Sequence, residues 1–198
     1  MNIAIIGSGN VGSALGSSLV SAGHRVTVTA RDSVKATTVA AQIGASVVPS
    51  ALAAAEAADV IVLAIPYGAV ESVAKEIAAA VSGKVVIDTT NPLKADYSGL
   101  ATDGGPSGAE RIAAQLPGAR VVKAFNTLFA SIQADTAVHG QTVDGLIAAD
   151  DADAKTTVAE LRELESLAWL NIALQLRTGG SWKSSFVLIG APDKAIAA

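Results

Sequence analysis

The feature that most limits the folds open to this chain lies in its first 35 residues. An unbroken apolar run, Ile3, Ala4, Ile5 and Ile6, leads into Gly7, Ser8, Gly9, Asn10, Val11 and Gly12. Val11, Leu15, Leu19 and Ala22 then recur at helical spacing before Gly23, His24 and a second apolar strand. A strand without polar alternation suits a sheet buried on both faces, and the following period suits a helix packed against it. Strand, turn, helix and strand form a βαβ unit. In its G-x-G-x-x-G turn, Gly7 allows the tight bend, Gly9 lets the backbone approach a pyrophosphate, and Gly12 lets the helix lie close to the strand. The backbone amides of Ser8, Asn10, Val11 and Gly12 would face that anion at the helix start. A bound dinucleotide is the expectation.

The end of the second strand bears on which dinucleotide it is. Alternation through Thr29, Ala30, Arg31 and Asp32 puts Ala30 where a carboxylate would hold the adenosine ribose 2'-hydroxyl. Arg31 offers a planar fork suited to a phosphate, Thr29 a hydroxyl, and Lys35, one helical turn further on, a second positive charge. These residues favour NADP. Asp32 carries the competing reading: turned inward it could take the ribose of NAD, and it is also placed to cap a helix beginning near Ser33.

At 198 residues the chain is expected to form one dinucleotide-binding domain over 1–150 with a helical C-terminal tail over 151–198 contributing to the substrate site and to dimer contacts. Hydrophobic residues make up 51% and charged residues 16%, which suits a parallel sheet buried between helices. Mean hydropathy is +0.45, yet no apolar run approaches the roughly 20 residues of a spanning helix, and the first residues lack a basic signal-peptide start. A cytoplasmic protein without a membrane partner is expected. The absence of cysteine excludes disulfides, thiolate catalysis and cysteine-bound metal. A net charge of −4 gives no electrostatic case for nucleic acid.

Further along, the pattern predicts helices over 34–43, 50–56, 69–81, 109–116 and 154–175, and strands over 46–48, 59–65, 84–88, 120–124 and 143–148. Residues 94–108 show no period and read as a loop, placed to act as a substrate lid. The fold class expected is α/β, a doubly wound Rossmann-type parallel sheet with a short helical C-terminal tail.

Candidate contacts to cofactor and acceptor gather at the carboxyl ends of the strands, where such sheets bind ligands. They are Ile65, Pro66 and Tyr67; Asn91, Pro92 and Leu93; and Phe125, Asn126, Thr127 and Leu128. The two histidines, His24 and His139, lack a paired acid, and no serine–histidine–acid or metal-ligand spacing occurs. Hydride exchange between two rings can proceed by alignment alone, with the protein supplying position and dryness. No side chain is therefore expected to act as a catalytic acid or base, and no metal is expected.

These residues resemble the family of NADPH-dependent reductases of the deazaflavin coenzyme F420, over most of the chain. The likeness runs through Ile5 to Gly12, Ala22-Gly23-His24, Ala30-Arg31-Asp32 with Lys35, Ile65-Pro66-Tyr67, Asn91-Pro92, and Val121-Val122-Lys123-Ala124-Phe125-Asn126-Thr127. The tail segments Ala168 to Leu174 and Gly179 to Trp182 resemble the family's C-terminal substrate region. The resemblance implies that Arg31 and Lys35 hold the 2'-phosphate and that Asn126 and Leu128 lie beside the nicotinamide, with Pro92 and Leu93 toward the substrate. It departs at Ala30, where the family commonly has serine or threonine. It departs again after Leu161, where a strand and a glycine-proline loop are absent and the sheet is expected to lose an edge strand. The function implied is hydride transfer between NADP(H) and a deazaflavin or other flavin-like acceptor. Two other readings stand beside it: a reductase of a small carbonyl or imine, which should need a large helical domain and a proton donor, and a non-catalytic NADP(H) sensor. The apolar tail suggests a homodimer.

Overall fold

The structure is a computed structural model that describes residues 1–94, 96–127, 129–134, 137–138, 141–142, 146–161 and 172–173. Its frame is one sheet whose strands lie in the order Ile172–Ala173, Leu146–Ala148, Arg120–Ala124, Val85–Asp88, Val60–Leu63, Asn2–Ile6, Arg25–Thr29, Ser46–Val47. The first half of the chain supplies β1 (Asn2–Ile6), α1 (Asn10–Ser21), β2 (Arg25–Thr29), α2 (Ser33–Ile43), β3 (Ser46–Val47) and α3 (Ala51–Ala57). The chain then returns to the middle of the sheet with β4 (Val60–Leu63), α4 (Val70–Ile77) and β5 (Val85–Asp88). Because β2 and β4 flank β1 on opposite sides, the winding direction reverses there, the kind of switch point at which such sheets bind ligands.

The apolar runs dictate this layering. Along β1, Ile3 and Ile5 face one core, with Leu15, Leu19, Val26 and Val28; Ala4 and Ile6 face the other, with Ile61, Leu63, Ile77 and Ile112. Ala54 and Ala55 of α3 are fully buried in this second core, where their small side chains let the helix lie close to the sheet. Gly12 and Gly16 serve the same purpose on α1: a Cβ at Gly12 would overlap the Gly7 carbonyl, and one at Gly16 would lie 2.5 Å from Ile43 Cδ1.

The remaining elements are α5 (Gly108–Gln115), β6 (Arg120–Ala124), α6 (Ala130–Ala134), the two-strand pair β7 (Ala137–Val138) and β8 (Gln141–Thr142), then β9 (Leu146–Ala148), α7 (Ala152–Glu160) and β10 (Ile172–Ala173). The expected doubly wound sheet is present and mostly parallel, with β9 running antiparallel to β6. Two expectations are corrected here. The helix expected over 154–175 stops at Glu160, and Ile172 and Ala173 pair in parallel with β9. Strand β10 thus occupies the sheet edge that the departure after Leu161 was expected to remove. Alanine and leucine carry no period that separates helix from buried strand over so short a stretch, which is why the pattern misled. The other tail segments, including 162–171 and 174–198, lie outside the described residues, as does His139.

The described residues of 94–107 form a folded-back loop. Leu93 and Leu100 bridge, Lys94 N donates to Gly99 O at 2.9 Å, and Ala101 N donates to Pro92 O at 2.8 Å. Arg111 Nη2 donates to the carbonyl of buried Thr102 at 2.6 Å, which ties the second half of the loop to α5. Gly108 opens α5, behind a reciprocal capping box between Ser107 and Glu110. His24 is held structurally, its Nε2 lying 2.9 Å from the Leu161 carbonyl.

Candidate dinucleotide and hydride-transfer site

The glycine turn is fixed by two collisions that a larger residue would create. Gly7 has φ +123°, and a Cβ there would strike the Ala64 carbonyl at the end of β4. Its amide donates to Thr29 O at 2.8 Å, so the turn is drawn against the end of β2 as well. Ser8 is buried, and Gly9 is the extended N-cap of α1 with no side chain capping the helix. Nothing lies within 4 Å of where a Cβ at Gly9 would stand. Helix-start amides left uncapped, over a glycine that opens onto free space, make a seat for an anion. Asn10 is exposed on this rim, while Val11 is half-buried and packs against the first core. The residues present therefore fit a dinucleotide pyrophosphate.

At the end of β2, Thr29 is buried and Ala30 is half-buried against the first core. Arg31 and Lys35 are exposed. Asp32 is the N-cap of α2, its Oδ1 accepting from Lys35 N at 3.0 Å. The aspartate is engaged by its own helix, and the two cations flank it with their side chains free of hydrogen bonds and ion pairs among the described residues. That arrangement fits a phosphate better than it fits a ribose diol.

The remaining candidates come together at the ends of β4, β5 and β6. Ile65 and Tyr67 are half-buried against the second core, with Pro66 exposed between them. A Cβ at Gly108 would lie 3.2 Å from both Tyr67 Cε2 and Pro92 Cγ, so the start of α5 closes on these two side chains. Asn126 Nδ2 donates to Asn91 Oδ1 at 3.0 Å, joining the loops after β6 and β5. Leu93 is exposed beside them, and Leu128 lies outside the described residues. Phe125, which precedes Asn126, is buried with φ 64°, and its carbonyl accepts from Nε2 of buried Gln133 at 2.8 Å.

Two residues in the site's support had no role from the sequence. Asp88 is fully buried and Lys123 is mostly so, and they face each other on the last rung of the β5–β6 ladder, Nζ to Oδ2 at 3.0 Å. Burial pushes the Lys123 ammonium below the usual lysine range, against the opposing pull of Asp88. Lys123 also lines a cleft of about 230 Å³ with Pro92, Glu110, Ala148 and Asp150. The available signal was one carboxylate and one lysine in otherwise apolar parts of neighbouring strands. Among the described residues, no cluster of histidine, aspartate or glutamate could hold a metal ion, and no helix is long and apolar enough to cross a membrane.

Comparison with known proteins identifies the family and the fold. The model of a family described as NADP oxidoreductase coenzyme F420-dependent matches residues 2–92, from β1 to the loop after β5. An F420-dependent NADP reductase of Methanothermobacter marburgensis is 35% identical over 185 residues, covering 82% of this chain and 79% of that protein. The crystal structure of a hypothetical protein from Sinorhizobium meliloti superposes with a TM-score of 0.76 at 30% identity, covering 88% of this chain and 85% of that one. A 3-hydroxyisobutyrate dehydrogenase of Mycobacterium tuberculosis shares the fold alone, with a TM-score of 0.67 at 20% identity, and this chain spans only 54% of it.

Proposed function

The chain belongs to the family of coenzyme F420-dependent NADP oxidoreductases, and from that premise we propose that it transfers a hydride between NADP(H) and a deazaflavin of the F420 type. The observation that carries this reading is the combination of an anion seat at α1 with two cations at the end of β2 that are unengaged among the described residues. NADPH, when bound, supplies the hydride.

The protein's part is binding and alignment. The amides around Ser8, Asn10, Val11 and Gly12 seat the pyrophosphate, while Arg31 and Lys35 grip the 2'-phosphate and so discriminate against NADH. Thr29 and Ala30 form the floor beneath the adenosine. Ile65, Pro66 and Tyr67 guide the cofactor from the β4 end toward Asn91 and Asn126, whose amides orient the reacting ring. Pro92 and Leu93 face the acceptor, and the loop after them covers it, with Tyr97 80% exposed at its tip. Apolar walls keep water from the transferred hydride. The same reading makes the chain a cytoplasmic homodimer, to be checked by sedimentation equilibrium.

Stopped-flow mixing of the protein with NADPH and, separately, NADH against F420, flavin mononucleotide and a ferric chelate tests the proposal. Rapid oxidation of NADPH by F420, with NADH much slower, is the expected result. NADPH binding without oxidation by any acceptor would overturn it in favour of a sensor.

A further inference from the structure

The buried Asp88–Lys123 pair calls for a function. Two charges taken out of water are costly, and a well-packed apolar pair in the same positions commonly serves stability as well or better. What an apolar pair cannot do is hold backbone. The β5–β6 ladder ends at Asp88 opposite Lys123, so the chain beyond has no strand partner from that ladder. At that point the two side chains take over. Asp88 Oδ1 accepts the Thr90 amide at 2.8 Å, and Lys123 Nζ, bound to Asp88 Oδ2, donates also to the Thr90 carbonyl. Both backbone groups of Thr90 are thus held from the sheet below. Thr90 is 3% exposed, and the next residue is Asn91, which pairs with Asn126.

We infer that Lys123 and Asp88 are positioning residues for hydride transfer: they clamp the Thr90 backbone and thereby set the Asn91–Asn126 pair against the reacting ring. The inference rests on the function proposed above and adds a residue-level device to it. The pyrophosphate seat and the two cations lie on other strands, across β4 and β1, so the clamp acts on alignment and leaves most of the cofactor's grip untouched. A misplacement of about 1 Å at such a site is enough to cost on the order of a hundredfold in rate.

Lys123→Met alone strands a buried carboxylate and invites unfolding, so the test uses the charge-free double variant Asp88→Leu/Lys123→Met beside the parent protein. Three quantities are read: amide exchange at Thr90 without cofactor, NADPH affinity, and the single-turnover rate from NADPH to F420. The expected result is exchange at Thr90 faster by at least about tenfold, NADPH affinity within about threefold of the parent, and a transfer rate lower by about tenfold or more. Unchanged exchange, a rate within about twofold of the parent, an affinity that falls in proportion to the rate, or a double variant that does not fold would each overturn the inference. If the parent itself fails to oxidise NADPH with F420, the proposed function is at fault, and the exchange measurement still decides whether the clamp exists.

Discussion

Asn91 and Asn126 grip each other from neighbouring strand ends: Asn126 Nδ2 donates to Asn91 Oδ1 at 3.0 Å, and Asn91 Nδ2 reaches back to the Asn126 carbonyl at 3.4 Å. Both residues are solvent-accessible, so little stability depends on the pair, and its value lies in the orientation it gives two amides. Asn126→Ala is expected to cost about 1 kcal/mol or less in a urea melt. The same change should lower kcat for NADPH oxidation at least tenfold with little change in KM, as measured by steady-state kinetics.

The glycine turn separates folding from binding. Gly7→Ala places a side chain at φ +123° against the Ala64 carbonyl, and the handedness penalty alone is roughly 1–2 kcal/mol. Gly9 opens onto free space, so Gly9→Ala is expected to leave the melting temperature within about 2 °C of the parent, while reducing NADPH affinity about tenfold or more. Calorimetric melting and a fluorescence titration with NADPH check both halves.

Cofactor choice divides between neighbours with opposite tasks. Arg31→Ala is expected to raise KM for NADPH by on the order of tenfold and to leave NADH unaffected, since only the phosphate is lost as a partner. Asp32→Ala should remove the α2 cap at a cost of about 1 kcal/mol and leave the NADPH to NADH ratio unchanged. A collapse of NADH activity in Asp32→Ala would instead return the aspartate to the ribose.

Burial holds Lys123 below 10.5, the ordinary lysine value, so the folded chain releases this proton at lower pH than the unfolded chain does. Between those two pKa values the unfolded state binds more protons, and this group makes stability rise with pH. The rise is complete once pH passes the unfolded value. Denaturant melts across the alkaline range should show it in the parent and lose it in Asp88→Leu/Lys123→Met.

Much of this was written in local sequence because the signals are local. The strand 120–124 and the Ser50 cap follow from apolar runs and short-range hydrogen bonding, and Asp32 was already visible as a rival cap. The Asp88–Lys123 pair was not legible, because it depends on the register of two strands 35 residues apart. The antiparallel course of β9 and the return of Ile172 to the sheet edge are equally non-local: each is decided by which backbone groups need a partner, and a hydrophobic period does not encode that. Phe125 in the left-handed region belongs with them, since its burial and its contact with Gln133, eight residues on, are set by packing and not by local pattern.

The close seating of α1 has a practical consequence for anyone engineering this scaffold. Replacing interior helix glycines with alanine is a common route to thermostability, worth up to about 1 kcal/mol per site. Here that route is closed at Gly12, where the obstacle is rigid backbone, and open at Gly16 only through a compensating change, because what stands in the way is the far end of the Ile43 side chain. A Gly16→Ala/Ile43→Val pair is the form in which this helix can be hardened without lifting it from the cofactor turn.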